Sequence, residues 1–167
     1  MTGSLLFLEA DDFFTANDPT YNMVSLCHNI QGFSVLLFYS NRCVHCQQLY
    51  PIFIRLPQLV NGCQFGIVNV STNRRLIEMT RQTTSPINYV PLIILYINGR
   101  PYMKYDGPKT DVDIRKFIMN VSSTVHESGF AKVAKEKAIP AYTVGQPLYG
   151  DTDVTYLEFD VKEGYHK

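Results

Sequence analysis

The sequence has no surplus of charge: fifteen Lys and Arg balance fifteen Asp and Glu across 167 residues. No partnership with nucleic acid or an anionic membrane surface is therefore expected. No apolar run reaches membrane-spanning length. The opening, MTGSLLFLEADDFF, has a four-residue apolar run and then acids, without the basic start and long apolar stretch of a secretory signal. A cytoplasmic, reducing compartment is the expectation, and Asn69-Val-Ser71 and Asn120-Val-Ser122 then match the glycosylation pattern only by chance. No internal repeat is visible. Cysteine is scarce, four in all, and only Cys43 and Cys46 stand close together. Tetrahedral zinc wants four ligands, usually as two close pairs, so no metal site is expected. The isolated Cys27 and Cys63 read as small apolar core residues.

What is present is apolar and aromatic. Hydrophobic residues make up 46% of the chain, with ten Phe and eleven Tyr, enough for one well-cored domain. SLLFL (4–8) reads as a first strand, and Asp18-Pro19 marks the start of a helix to about Asn29. FSVLLFYS (33–40) is a nearly unbroken apolar run, the pattern of a strand covered on both faces. From Cys43 to about Leu56 the period becomes helical, with Leu49, Ile52, Phe53 and Leu56 on one side and a kink expected at Pro51. QFGIVNVS (64–71) is the next strand, and Ser71 or Thr72 caps a short helix through Leu76, Ile77 and Thr80. PLIILYI and PYMKYD flank a hairpin turn at Asn98-Gly99. Thr110-x-x-Asp113 opens a last helix, whose Ile114, Phe117, Ile118 and Val121 share a face.

This order predicts an α/β sandwich with a mixed sheet over residues 1–121, parallel at first and with an antiparallel hairpin at its edge. Residues 122–167 form a C-terminal extension of different character. ESGFAKVAKEKAIP supplies one short helix, AYTVGQPLYGD an extended stretch, and VTYLEFDV an alternating one with Thr155, Leu157, Phe159 and Val161 on one side. The extension is too poor in apolar residues for a core of its own, so it needs the domain or a partner to hold it.

Cys43 directly follows a strand and opens a helix, where free N–H groups and the helix dipole favour an anion. That position, in a Cys-x-x-Cys, is expected to lower the thiol pKa and make Cys43 the nucleophile. Cys46 lies almost one turn on and resolves the mixed disulfide. His45 can give Cys43 a hydrogen bond or a charge, or can be a solvated polar residue.

These segments resemble the thioredoxin-fold family. VLLFYSNRCVHCQQLYP is similar to the family's strand, Cys-x-x-Cys and helix, including a proline, Pro51, five residues after the second cysteine. NYVPLIILYINGRPYMKYDG is similar to its second signature. The resemblance implies a three-layer α/β/α sandwich, a cis-proline at Pro91 facing the cysteines, and a Val90 backbone that receives an extended substrate. Leu37 stands where thioredoxins carry a buried acid, Arg42 where they carry tryptophan, and Val44-His45 where they carry Gly-Pro. Arg42 could further stabilise a thiolate at Cys43. The Cys-x-His-Cys form is similar to protein disulfide isomerases and periplasmic oxidases.

Two functions remain open at this point. One is a thiol–disulfide oxidoreductase, oxidase or isomerase rather than general reductase, that acts on protein cysteines. Its catalytic residues would be Cys43, Cys46 and His45, its substrate-binding residues Val90, Pro91 and Arg42, and it would need no cofactor beyond the dithiol. The other is a thioredoxin-like structural or interaction module that keeps the motif without the chemistry and docks through residues 122–167 in a larger assembly. The extension also looks similar to thioredoxin-like proteins of large cytoplasmic DNA viruses, which implies packaging in a virion.

Overall fold

Apolar side chains along FSVLLFY alternate between two layers, and this dictates the architecture. The computed structural model describes residues 4–18, 23–128, 139–143 and 155–157. In chain order the elements are β1 (Leu5–Leu8), β2 (Phe14–Asp18), β3 (Met23–Cys27), β4 (Phe33–Tyr39), α1 (Val44–Phe53), β5 (Cys63–Asn69) and α2 (Arg74–Thr80). There follow β6 (Tyr89–Val90), β7 (Leu92–Ile97), β8 (Arg100–Asp106), α3 (Asp111–Ser128), β9 (Ala141–Thr143) and β10 (Thr155–Tyr156). Six strands make a mixed sheet in the order β1-β5-β4-β7-β8-β9, with β4 parallel to β5 and antiparallel to β7. Val35, Leu36, Leu37 and Phe38 have no exposed surface. Val35 and Leu37 join Leu49 and Phe53 of α1 and Ile114, Phe117 and Ile118 of α3 in one cluster. Leu36 and Phe38 join Leu76 and Ile77 of α2 and Leu26 of β3 in the other. The α/β sandwich expected from element order is the fold, and both faces of β4 are covered because helices flank the sheet.

The turn between β7 and β8 is where Asn-Gly placed it. Asn98 has φ 52° and Gly99 φ 84°. Gly99 is required for a second reason: a Cβ there would lie 1.9 Å from the His28 carbonyl oxygen. Thr110 caps α3 as its spacing implied, its hydroxyl accepting the Asp113 N–H at 3.1 Å and donating to Asp113 Oδ2 at 2.7 Å.

Several expectations need correction. The helix drawn from Asp18 to Asn29 is instead an antiparallel hairpin of β2 and β3, from Phe14↔Cys27 to Asp18↔Met23, with residues 19–22 outside the described set. Asp-Pro opens a turn as readily as a helix. Ser25, Leu26, Cys27 and His28 are buried in succession, leaving no solvent face for a helix. Ser71 and Thr72 do not cap α2. They lie in a 3-10 turn capped by Asn69, whose Oδ1 accepts the Ser71 N–H at 2.9 Å, and α2 begins after Asn73. Asn73 instead accepts the Ala10 N–H at 2.8 Å, joining the α2 start to the loop after β1. The helix around Pro51 ends at Phe53, and Leu56 starts a separate 3-10 turn.

The line drawn after Val121 is crossed by α3, which runs unbroken to Ser128. Beyond it, β9 pairs parallel to β8, so the hairpin is not the sheet edge. Tyr142 lies 5.0 Å centroid to centroid from Phe117 and 6.2 Å from Tyr105, and accepts a 2.7 Å bond from Asn120 Nδ2. The expected short helix falls mostly on residues 129–138, and Phe159 and Val161 also lie outside the described residues.

Candidate functional site

Chain geometry at the end of β4 sets the site. Tyr39 ends the strand, residues 40–42 turn, and α1 starts at Val44, which leaves Cys43 as its N-cap with extended backbone, φ −100° and ψ 112°. A cap must accept an N–H from the first helical turn, and here a sulfur does so. The Cys46 N–H points at Cys43 Sγ over 3.0 Å. On its other side the Cys43 thiol donates to the Val90 carbonyl over 3.7 Å. Val90–Pro91 is a cis peptide bond, and both residues are buried. Residues 43 and 46 and residues 90 and 91, two pairs more than forty positions apart in sequence, therefore meet at one end of the sheet.

Cys43 and Cys46 are each only 1% exposed, and all four cysteines are free thiols. Burial, and next the hydrogen bond with Cys43, push the Cys46 thiol pKa well up. Leu37 is fully buried with Leu49 and Phe53, so the position six residues before Cys43 offers no proton acceptor. His45 is half-buried on the first turn of α1 and is not among the partners of Cys43 Sγ, which are the Cys46 N–H and the Val90 carbonyl. Arg42 is exposed and takes part through its backbone N–H, which donates to Ser40 Oγ at 3.3 Å. Cys27 and Cys63 sit on β3 and β5; burial raises both thiols, Cys63 to about 12. Among the described residues no group of His, Cys, Asp and Glu could hold a metal ion, and no helix is long and apolar enough to cross a membrane.

Sequence reasoning missed two parts of the site. A pocket of about 380 Å³, lined by Tyr39, Ser40, Asn41, Cys46, Gln47 and Tyr50, borders the resolving side of the pair. Its signal was the aromatic pair flanking the motif, and these rings meet edge-on at 5.4 Å. The other is β10, which pairs antiparallel with β6, Thr155 opposite Val90 and Tyr156 opposite Tyr89. The alternation of VTYLEFDV signals a strand, but nothing local names Tyr89–Val90 as its partner.

A model of the thioredoxin family matches residues 19–120. The chain belongs to that family. It is 37% identical over 161 residues to Uncharacterized protein 196R of Invertebrate iridescent virus 6, covering 93% of this chain and 91% of the viral protein. It is 32% identical over 166 residues to Uncharacterized protein 020R of Invertebrate iridescent virus 3, covering 96% of each. A mouse protein, DnaJ homolog subfamily C member 10, is 32% identical over 92 residues, 54% of this chain and 11% of that protein. Among solved structures, human ERp44 superposes with a TM-score of 0.53 at 19% identity, over 72% of this chain and 30% of that one. The J-Trx1 fragment of ERdj5 superposes with a TM-score of 0.52 at 22% identity, over 71% and 52%. At these identities the structural likeness concerns the thioredoxin fold alone.

Proposed function

We propose that this thioredoxin-family chain exchanges thiols and disulfides on protein cysteines through Cys43 and Cys46, as an oxidase or isomerase rather than a general reductase. One observation carries the reading. Cys43 Sγ lies between the Cys46 N–H at 3.0 Å and the Val90 carbonyl at 3.7 Å, beside the cis bond to Pro91. A donor aimed at the sulfur suits a sulfur anion, and the neighbouring backbone offers an edge for an extended peptide.

In isomerisation, the Cys43 thiolate attacks one sulfur of a substrate disulfide. The bond to Cys43 forms, the substrate bond breaks, and the other substrate sulfur leaves as a thiolate. A substrate thiolate later attacks the mixed disulfide and returns Cys43, so no net electrons move. In oxidation, a substrate thiolate attacks Cys43 of the disulfide form, and Cys46 leaves with the electron pair and takes a proton. A second substrate thiolate displaces Cys43. Two electrons pass to the pair, which another disulfide-bearing protein must then reoxidise.

Reduction of a substrate requires Cys46 to lose its proton and attack the mixed disulfide. Its thiol pKa is raised, chiefly by burial, and Leu37 supplies no base. That step is slow. The same raised thiol is a poor leaving group, so isomerisation, in which Cys46 is idle, has the better support. His45 tunes Cys43 from the first turn of α1, Val90 and Pro91 seat the substrate, and exposed Arg42 lies at the rim.

A peptide with mispaired disulfides tests this. Wild type re-pairs it, Cys43→Ser does not, and Cys46→Ser still re-pairs it while accumulating a mixed disulfide on Cys43. Equal inertness of wild type and Cys43→Ser would end the enzyme reading.

The two viral relatives, matched over nearly the whole chain, favour a second reading: a module of a larger assembly such as a virus particle, located in the cytoplasm or packaged in the virion. Its partner surface would be residues 122–167. Because α3 runs to Ser128 and β9 to Thr143, the deletion to test is 144–167. Loss of association with virion proteins supports the reading, and unchanged association opposes it.

A further inference from the structure

The edge beside Cys43 already carries a strand, and it is the chain's own. Thr155 lies opposite Val90 and Tyr156 opposite Tyr89 in antiparallel register, and the Leu157 N–H donates to the Asn88 carbonyl at 2.9 Å. Leu157 packs, partly buried, against the cluster that contains Cys43, Cys46 and Val90. A nucleophile that must bond to a substrate sulfur is here 1% exposed. We infer that β10 occupies the peptide-docking edge of the active site as an internal pseudosubstrate, and that an extended substrate segment reaches Cys43 only by displacing Thr155–Leu157. This rests on the oxidoreductase reading for its meaning, although the occupancy itself does not.

Three features set this occupant apart from ordinary packing. Its sequence Thr-Tyr-Leu has no cysteine, so it can take the edge without entering thiol exchange. Among the described residues its backbone hold is two paired residues and one further hydrogen bond. The preceding anchor is much firmer. The Ile139 N–H donates to the Thr84 carbonyl at 2.8 Å, the Pro140 carbonyl accepts the Lys104 N–H at 3.0 Å, and Tyr142 is held by Tyr105, Phe117 and Asn120. When β10 leaves, β9 therefore keeps the extension attached, and the strand returns as an intramolecular competitor at high effective concentration. Such a competitor excludes weak and unstructured thiols more than it excludes a peptide able to replace its ladder. The substrate class this edge selects is a cysteine-containing segment that can pair antiparallel with Tyr89–Val90.

The test uses the full chain and iodoacetamide, with alkylation of each cysteine followed by peptide mass spectrometry. Leu157→Pro removes the N–H given to Asn88 and alters the packing against the Cys43 cluster. Alkylation of Cys43 should rise at least tenfold, while buried Cys27 stays as slow as in wild type. An unchanged Cys43 rate overturns the inference. If Cys27 also speeds up, Leu157→Ala decides, because it keeps the N–H. A rise of about threefold in the Cys43-to-Cys27 rate ratio supports the inference, and an unchanged ratio overturns it. Disulfide re-pairing is measured in parallel. Faster alkylation with no turnover in either protein leaves the occupancy standing and sinks the oxidoreductase reading instead.

Discussion

Acid should unfold this protein through His28, a residue outside the cysteine site. His28 is 3% exposed, lies 4.4 Å from the Tyr96 ring at a 48° tilt and meets Phe13 edge-on at 5.9 Å. Its Nδ1 accepts the Ile30 N–H at 3.1 Å, which leaves Nε2 as the protonated nitrogen, 3.3 Å from Ser34 Oγ. A second proton would have to sit on Nδ1, facing another N–H. Burial accordingly lowers the pKa from 6.5 to about 4. In the unfolded chain the imidazole protonates near the usual value, so between these two pH values the unfolded state binds more protons. The contribution of His28 is complete above about pH 6.5 and is lost as pH falls toward 4. At about 1.4 kcal/mol per pH unit the loss approaches 3 kcal/mol, a large share of the 5–15 kcal/mol typical of a domain. Urea unfolding at about pH 7 and about pH 4 measures it, with His28→Asn as control, since its amide oxygen can still accept from Ile30. Carboxylates lose stability equally in both proteins, so the difference isolates the imidazole. Wild type should lose roughly 3 kcal/mol more than His28→Asn over this interval. Equal losses would refute the reasoning.

Gly99→Ala should cost about 2–4 kcal/mol in urea unfolding, because a Cβ meets the His28 carbonyl oxygen at 1.9 Å on a positive-φ residue. A loss under about 1 kcal/mol would show that the turn yields easily. Tyr96→Phe should leave the protein as stable or about 1 kcal/mol more stable, because the fully buried hydroxyl has no hydrogen-bond partner among the described residues. Marked destabilisation would point to a partner for that hydroxyl.

What the sequence disclosed depended on how far each signal reached. The run FSVLLFY announced a doubly covered strand because all its middle residues are buried, and Asn98-Gly99 announced a turn because few residue pairs accept two positive φ angles. The motifs singled out Cys43, Cys46, Val90 and Pro91 as candidates, and the fold brings the Cys43 thiol to the Val90 carbonyl although nothing local joins the two segments. Met23–Cys27 misled because Asp18-Pro19 serves helix and turn alike, and because the hairpin buries Ser25 to His28 without alternation. Thr155–Leu157 shows some strand character in its alternation, but its partner, Tyr89–Val90, is chosen only once the sheet is built. The pocket bounded by Tyr39 and Tyr50 is likewise a product of packing. Local patterns reach local structure, whereas sites made by closure of the chain require the fold.

The reduction potential of the Cys43–Cys46 couple, measured by equilibration with glutathione, tests the central claim most directly. On the proposed reading, the Cys46 N–H at the Cys43 sulfur favours the reduced pair, and Leu37 in place of an acid makes the pair a poor electron donor. The expected value is near that of the disulfide isomerases, roughly −180 mV, and a value near the thioredoxin level of about −270 mV would contradict the account.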